Sequence, residues 1–183
     1  GNTVVFKPAS ATPLAGYEMA RCFVDAGIPA GVFNFITGSG SEVGESLAMH
    51  EGVDGVIFTG SKEVGLELFK RFSTEFPKPC ITEMGGKNPT IVTANADLDK
   101  AVDGVARSAF GFSGQKCSAC SRVYVERPVY DAFIDKLVAR TQSLKVGDPA
   151  DRDTYVGPVI DEKAQERFDD AVKSAKGGTV RAG

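Results

Sequence analysis

The sequence predicts an α/β fold with largely parallel sheets. Short β-rich runs alternate with amphipathic helical stretches, the connections are short, and glycine-rich loops sit where runs of the two kinds meet. The elements follow in order. Thr3–Phe6 reads as a strand ended by Pro8. Thr12 and Pro13 start a helix, Thr as N-cap and Pro at the first helical position, with Leu14, Tyr17, Met19, Cys22 and Phe23 along it and Gly27 and Pro29 as stops. Val32–Ile36 is a strand, Ser41–Met49 a helix and Val56–Phe58 a strand. Ser61 opens a helix running to about Phe76, and Cys80–Thr82 is a strand buried enough to place Cys80 in a core, as the helix face is expected to place Cys22.

The rhythm repeats in the second half. Thr90–Val92 is a strand, and the helix from Asp97 to about Phe110 carries Leu98, Val102, Val105 and Ala109 on one face. Arg122–Val125 is a strand, Pro128–Leu144 a helix with Val129, Phe133 and Leu137 inward, and Asp161–Lys176 a mostly polar helix. The clearest breakpoint is Gly85-Gly86, with residues 1–86 assigned to one domain and 87–183 to a second. The chain opens directly on a strand and closes on Gly177–Gly183, where another strand is expected to start, so it reads as an internal fragment.

Composition narrows the function. The 183 residues are 42% hydrophobic and 25% charged, with a net charge of −3 and no long run of one sign, which argues against a phosphate-backbone binder. No apolar run approaches the roughly 20 residues of a membrane helix, and the first residues lack a secretory pattern, so a cytoplasmic protein with reduced thiols is expected.

Two glycine loops follow strands. Gly38-Ser39-Gly40-Ser41-Glu42-Val43-Gly44 has the form GxGxxxG and misses the dinucleotide fingerprint GxGxxG. Phe58-Thr59-Gly60-Ser61 is the second. Each alone reads as a tight turn with a capping Gly or Ser. Two at consecutive strand ends strengthen the case for a ligand beside that reading, because free amides at a helix start and the helix dipole suit a phosphate and ligands sit beyond the carboxyl ends of parallel strands. Lys7, at the end of the first strand, is either a solvated lysine or a contact for ribose or phosphate.

The stretch SGQKCSACSR places Cys117 and Cys120 three apart. A structural zinc site needs about four ligands, but Cys22 and Cys80 stand alone and His50 is the only histidine, so no metal is expected. A dithiol redox site gains from a helix N-terminus that lowers the thiol pKa; here the pair follows a helix and precedes a strand. A nucleophilic Cys117 needs a base, and with histidine unavailable a carboxylate must serve, for which Glu83, at a strand end beside Gly85-Gly86, is the candidate. On the residues alone the dithiol and the nucleophile readings both stay open.

Glu83-Met84-Gly85-Gly86-Lys87-Asn88-Pro89, followed by Gly114-Gln115-Lys116-Cys117 and Ser121-Arg122, closely resembles the two signature segments of the NAD(P)-dependent aldehyde dehydrogenases. Asn2–Pro8, the Gly38 loop and Phe58–Ser61 fall in the family's order, so the resemblance covers essentially the whole chain. It implies parts of two α/β domains: the later part of a Rossmann-like NAD(P)-binding domain over 1–86 and the first part of a catalytic domain over 87–183. It implies that Cys117 attacks an aldehyde, that hydride passes from the thiohemiacetal to nicotinamide, and that Glu83 activates the water that hydrolyses the thioester. The Cys117 amide would be half of an oxyanion hole. The other half, an asparagine in the family, falls outside these residues.

For NAD or NADP the resemblance implies Lys7 at the adenosine ribose, Ser61 at the pyrophosphate, and Thr59 and Gly60 on the nicotinamide side, with Gly38, Gly44 and Gly85 as close backbone. Ser10 stands where many NAD-preferring members have Glu, which removes a charge that would repel a 2′-phosphate and leaves both cofactors admissible. Around the nucleophile the chain looks most like the 1-pyrroline-5-carboxylate (glutamate-γ-semialdehyde) dehydrogenases, where the residue matching Ser118 helps anchor a substrate carboxylate. A small aldehyde substrate and a homo-oligomeric full-length protein follow from the same resemblance, with neither nucleic acid nor membrane as partner. The alternatives are a general aliphatic or aromatic aldehyde dehydrogenase and, for the isolated stretch, a nucleotide-binding module without activity.

Overall fold

The computed structural model describes residues 1–74 and 76–182. The chain divides into two compact units, Gly1–Met84 and Gly85–Gly183.

In the first unit, β1 (Val4–Phe6) runs parallel to β2 (Phe33–Phe35), with Val4 opposite Phe33 and Phe6 opposite Phe35. Parallel strands need a crossover, and α1 (Pro13–Asp25) supplies it. The helix meets the pair through small residues: Gly16 and Ala20 are its buried positions, and Phe23 stacks on Phe33 at 4.4 Å between ring centroids. The expectation that the helix face places Cys22 in a core is therefore corrected: Cys22 is exposed, as are Leu14, Tyr17 and Met19. Thr12 holds the N-cap position without a side-chain bond to the first turn. The helix expected over Ser41–Met49 is a wide π-turn, Gly40–Gly44, followed by the single-turn α2 (Glu45–Ala48), because both the Val43 and Gly44 amides donate to the Ser39 carbonyl.

β3 (Val56–Thr59) and β4 (Cys80–Glu83) form a second parallel pair, joined by α3 (Lys62–Phe72). Ser61 caps α3 by accepting the Val64 amide at 3.3 Å, and Gly65 and Phe72 are buried. The helix stops at Phe72, short of the expected end near Phe76. Ser73 leaves helical geometry, and its hydroxyl donates to the Lys78 carbonyl at 2.9 Å while accepting the Lys78 amide. Pro77 also biases Phe76 away from helix; Glu75, within the expected range, lies outside the described residues. Burial alternates along both strands, leaving Ile57 81% exposed beside Ile81, so Cys80 is half-buried and not in a core.

The second unit repeats the pattern with a fuller core. β5 (Asn88–Val92) and β6 (Cys120–Val125) are parallel and carry a register slip between Asn88 and Pro89, so that Asn88 faces Cys120 and Pro89 faces Arg122. α4 (Leu98–Phe110) is capped by Asp97, whose carboxylate accepts the Lys100 amide at 3.2 Å. α5 (Tyr130–Gln142), preceded by a 3-10 turn over Arg127–Val129, packs beside it. Val92, Val102, Val105, Cys120 and the fully buried Phe133 form the core, flanked by Leu98, Ala109 and Leu137 as their spacing predicts. Lys136–Asp99 and Arg140–Asp103 ion pairs tie the outer faces of α4 and α5. α6 (Glu162–Ser174) buries none of its residues, and Gly177–Ala182 forms no strand; Gly183, the last residue of the expected strand, lies outside the described residues.

Candidate active site

The first unit gathers the predicted ligand-binding residues into two groups. At the carboxyl end of β1, Lys7 Nζ donates to the carbonyls of Pro8 at 2.8 Å and Gly38 at 3.3 Å, and Ser10 Oγ donates to the same Gly38 carbonyl at 3.3 Å. The Lys7 aliphatic stem runs past Gly44. Lys7, Ser10, Gly38 and Gly44, scattered over 38 positions in the chain, thus lie together. Beside them is a cavity of about 310 Å³ lined by Pro8, Ala9, Ser10, Pro13, Thr37, Gly38 and Ser39. The Ser39 hydroxyl is engaged by its own turn, accepting the Glu42 amide at 3.1 Å and donating to the Glu42 carboxylate at 2.8 Å.

The second group stands at the carboxyl ends of β3 and β4. Register places Thr59 opposite Glu83, and the Gly60 amide donates to the Glu83 carbonyl at 3.0 Å. Thr59 and Glu83 are both exposed on the same alternation. Ser61 follows as the cap of the three-turn α3, a helix start long enough to carry a dipole.

The second unit holds Cys117, Ser118 and Gly85. The chain leaves α4 through Gly111–Gly114, in which Phe112 (φ 57°) and Ser113 (φ 55°) take the left-handed conformation, as does Gly114. Two such non-glycine residues in succession cost of order 1–3 kcal/mol each and persist only where surroundings enforce them. The enforcement is visible: Ser113 Oγ donates to the Gly157 carbonyl at 2.8 Å, and Gln115 Oε1 accepts the Ile160 amide at 2.8 Å. Cys117 and Ser118 are then the central residues of a turn closed by the Ala119 amide on the Lys116 carbonyl at 3.2 Å. Both are exposed.

The two cysteines of the motif have different surroundings. Cys117 is exposed; Cys120 is buried, its Sγ accepting from Thr90 Oγ1 at 3.2 Å and donating to the Arg122 carbonyl at 3.4 Å. The Ser108 hydroxyl accepts the Cys120 amide. Cys22 is exposed, and partial burial of Cys80 pushes its thiol pKa up. Among the described residues, no three His, Cys, Asp or Glu side chains are grouped to hold a metal ion. Nor is any helix among them long and apolar enough to cross a membrane. The residues that sequence reasoning passed over are Asn88, whose side chain bonds the Cys117 carbonyl, and Ser108, Ser113 and Gln115, which fix the loop ends.

A strand–helix scaffold with glycine turns at the strand ends defines an α/β protein, and it carries an exposed cysteine on a constrained turn. Residues 1–182 match the family model described as "Aldehyde dehydrogenase family", and the chain belongs to that family. It is 47% identical over 181 residues to the 1-pyrroline-5-carboxylate dehydrogenase of Geobacillus sp. (strain WCH70), covering 96% of this chain and 35% of that one. Among solved structures it resembles the NAD-dependent aldehyde dehydrogenase of Sinorhizobium meliloti, with a TM-score of 0.90 and 38% identity over 94% of this chain and 34% of that one. It also resembles the glyceraldehyde-3-phosphate dehydrogenase GapN of Methanocaldococcus jannaschii complexed with NADP, with a TM-score of 0.88 and 36% identity over 96% and 39% of the two chains. The chain spans about a third of the length of the relatives it matches.

Proposed function

We propose that this chain carries the nucleophile, the general base and part of the cofactor site of an NAD(P)-dependent aldehyde dehydrogenase. The observation that carries the reading is the exposed Cys117 on a turn held from both flanks, in a chain of this family. In it, the Cys117 thiolate adds to the aldehyde carbon and the carbonyl oxygen becomes an alkoxide facing the Cys117 amide, which takes no part in the turn-closing bond. Loss of hydride from that carbon restores a carbonyl as a thioester. Glu83, exposed at the end of β4, accepts a proton from water; the hydroxide attacks the thioester, the carboxylic acid leaves, and Cys117 is regenerated as thiolate.

A bound NAD or NADP supplies the hydride acceptor. Its fit rests on the Ser61-capped start of α3, which suits a pyrophosphate, and on the cavity beside Ser10 and Gly38, with Lys7 within reach of a ribose. Thr59 and Gly60 would stand toward nicotinamide, and Gly44 and Gly85 as close backbone, on family resemblance. Domains over 1–86 and 87–183, a cytoplasmic site of action and a homo-oligomer belong to the same reading. One solved neighbour is NAD-dependent and another is complexed with NADP, and neutral Ser10 admits both.

For the substrate, the relative named 1-pyrroline-5-carboxylate dehydrogenase supports glutamate-γ-semialdehyde, with Ser118 toward its carboxylate. A general aliphatic or aromatic aldehyde is the second choice. The test is absorbance-monitored NADH and NADPH formation by the complete gene product, with glutamate-γ-semialdehyde beside simple aldehydes. Turnover that Cys117→Ser abolishes is expected. A folded protein that binds NAD and reduces none with any aldehyde would leave a binding module. Cys120→Ser should spare activity; its loss would favour dithiol chemistry.

A further inference from the structure

We propose that Asn88 is a positioning residue for the nucleophile turn, holding the Cys117 carbonyl so that the thiol and the Cys117 amide face the reacting aldehyde; this rests on the role proposed for Cys117. The Asn88 Nδ2 group donates to the Cys117 carbonyl at 2.6 Å and to the Ala119 carbonyl at 3.3 Å. One side-chain amide, 29 residues away in the chain, thereby spans the turn that carries the nucleophile. Both donors of the NH₂ group are used, which fixes the amide's orientation as well as its place.

The placement of Asn88 is itself constrained. It is the half-buried first residue of β5, opposite Cys120, and Pro89 biases its backbone to extended geometry. The register slip between Asn88 and Pro89 accommodates the extra residue of β6 directly beyond the turn. Gly86 completes the arrangement. A Cβ there would lie 3.1 Å from the Cys117 carbonyl oxygen and 3.2 Å from both terminal atoms of Asn88, so the absence of a side chain leaves room for the bond. On the opposite flank, Gly157 and Ile160 anchor the strained turn through Ser113 and Gln115. With its carbonyl tied on one side and the preceding turn on the other, Cys117 has little freedom left in ψ or in the direction of its Cα–Cβ bond.

The test uses the complete gene product and two variants. Asn88→Asp keeps shape and volume but turns both donors into acceptors that face two carbonyls. Asn88→Ala removes the side chain. If Asn88 merely fills space, Asp is the milder change; if its donors position the turn, Asp is the worse. The expected result is a kcat lower by about tenfold to a hundredfold in Asn88→Asp, lower than in Asn88→Ala, with KM for aldehyde and cofactor within about threefold of wild type. A second readout needs no turnover: alkylation by iodoacetamide, located by peptide mass spectrometry. The new negative charge beside the turn repels the anionic nucleophile, so alkylation at Cys117 slows about threefold or more while Cys22 is unaffected. Asn88→Asp with wild-type kcat, or with unchanged Cys117 alkylation, would overturn the proposal. Wild-type protein that oxidises no aldehyde but shows the slowed alkylation in Asn88→Asp would refute the enzymatic reading and leave Asn88's hold on the turn standing.

Discussion

Gly65→Ala makes a sensitive probe of how α3 meets the end of β4. An exposed helical glycine usually gains about 0.5–1 kcal/mol on replacement by alanine. Gly65 is buried, and a Cβ there would lie 2.6 Å from Met84 Sδ, 2.8 Å from Met84 Cγ and 3.3 Å from Phe58 Cε1. The Cγ contact lies too near the Met84 backbone for rotation of the side-chain end to relieve it. Overpacking of this kind costs about 1–3 kcal/mol, which outweighs the helical gain, so a net loss of about 0.5–2 kcal/mol is expected. Met84→Ala removes both offending atoms. In that background Gly65→Ala should therefore reverse sign and stabilise, up to about 1 kcal/mol, the residual Phe58 contact being mild. The assay is urea denaturation of the four proteins of the cycle, with hydrogen exchange of the α3 amides to localise the effect. Stabilisation by Gly65→Ala alone, or additivity within about 0.5 kcal/mol, would refute the reasoning. Because Met84 follows Glu83, the same cycle probes the packing beside the proposed base.

Phe133→Ala should cost about 3–5 kcal/mol by calorimetry or urea denaturation, since the ring is fully buried between α4, α5 and the β5–β6 sheet. Asp97→Ala should cost about 1 kcal/mol through loss of the cap on Lys100, and Asp97→Ser should recover most of it. Timed reaction with a chromogenic disulfide should find Cys22 and Cys117 fast and Cys80 and Cys120 slow, as exposure and hydrogen bonding dictate. Burial raises the Cys80 pKa, so the folded state holds that proton more tightly than the unfolded chain. Its contribution is complete below the ordinary thiol pKa and is lost as pH rises through the folded value; Cys80→Ala should flatten the alkaline decline in stability.

The alternation of strands and helices was legible because each signal is local. The stripe Leu98–Val102–Val105–Ala109, the Asp97 and Ser61 caps and the glycine stops are written in a few neighbouring residues. The core position expected for Cys22 fails because α1 packs through the small residues Gly16 and Ala20, which leave no apolar signal in the sequence. The end of α3 was missed because Ser73 reaches forward to Lys78, a bond no propensity encodes. Family motifs marked Cys117 and Glu83, but the Asn88 bond depends on a parallel register and a slip that bring residues 88 and 120 together. The sheet faces carrying Ile57 and Ile91, 81% and 72% exposed, look like buried strand residues in the sequence.

The most direct test of covalent catalysis by Cys117 is to trap the acyl-enzyme. Glu83→Gln in the complete gene product should release a burst of reduced cofactor on mixing with glutamate-γ-semialdehyde and then stall, because hydride transfer precedes the step that needs the base. Quenching the stalled enzyme and mapping its peptides by mass spectrometry should place one acyl group on Cys117 and none on Cys22, Cys80 or Cys120. Acylation of another cysteine, or sustained wild-type turnover without the adduct, would contradict it.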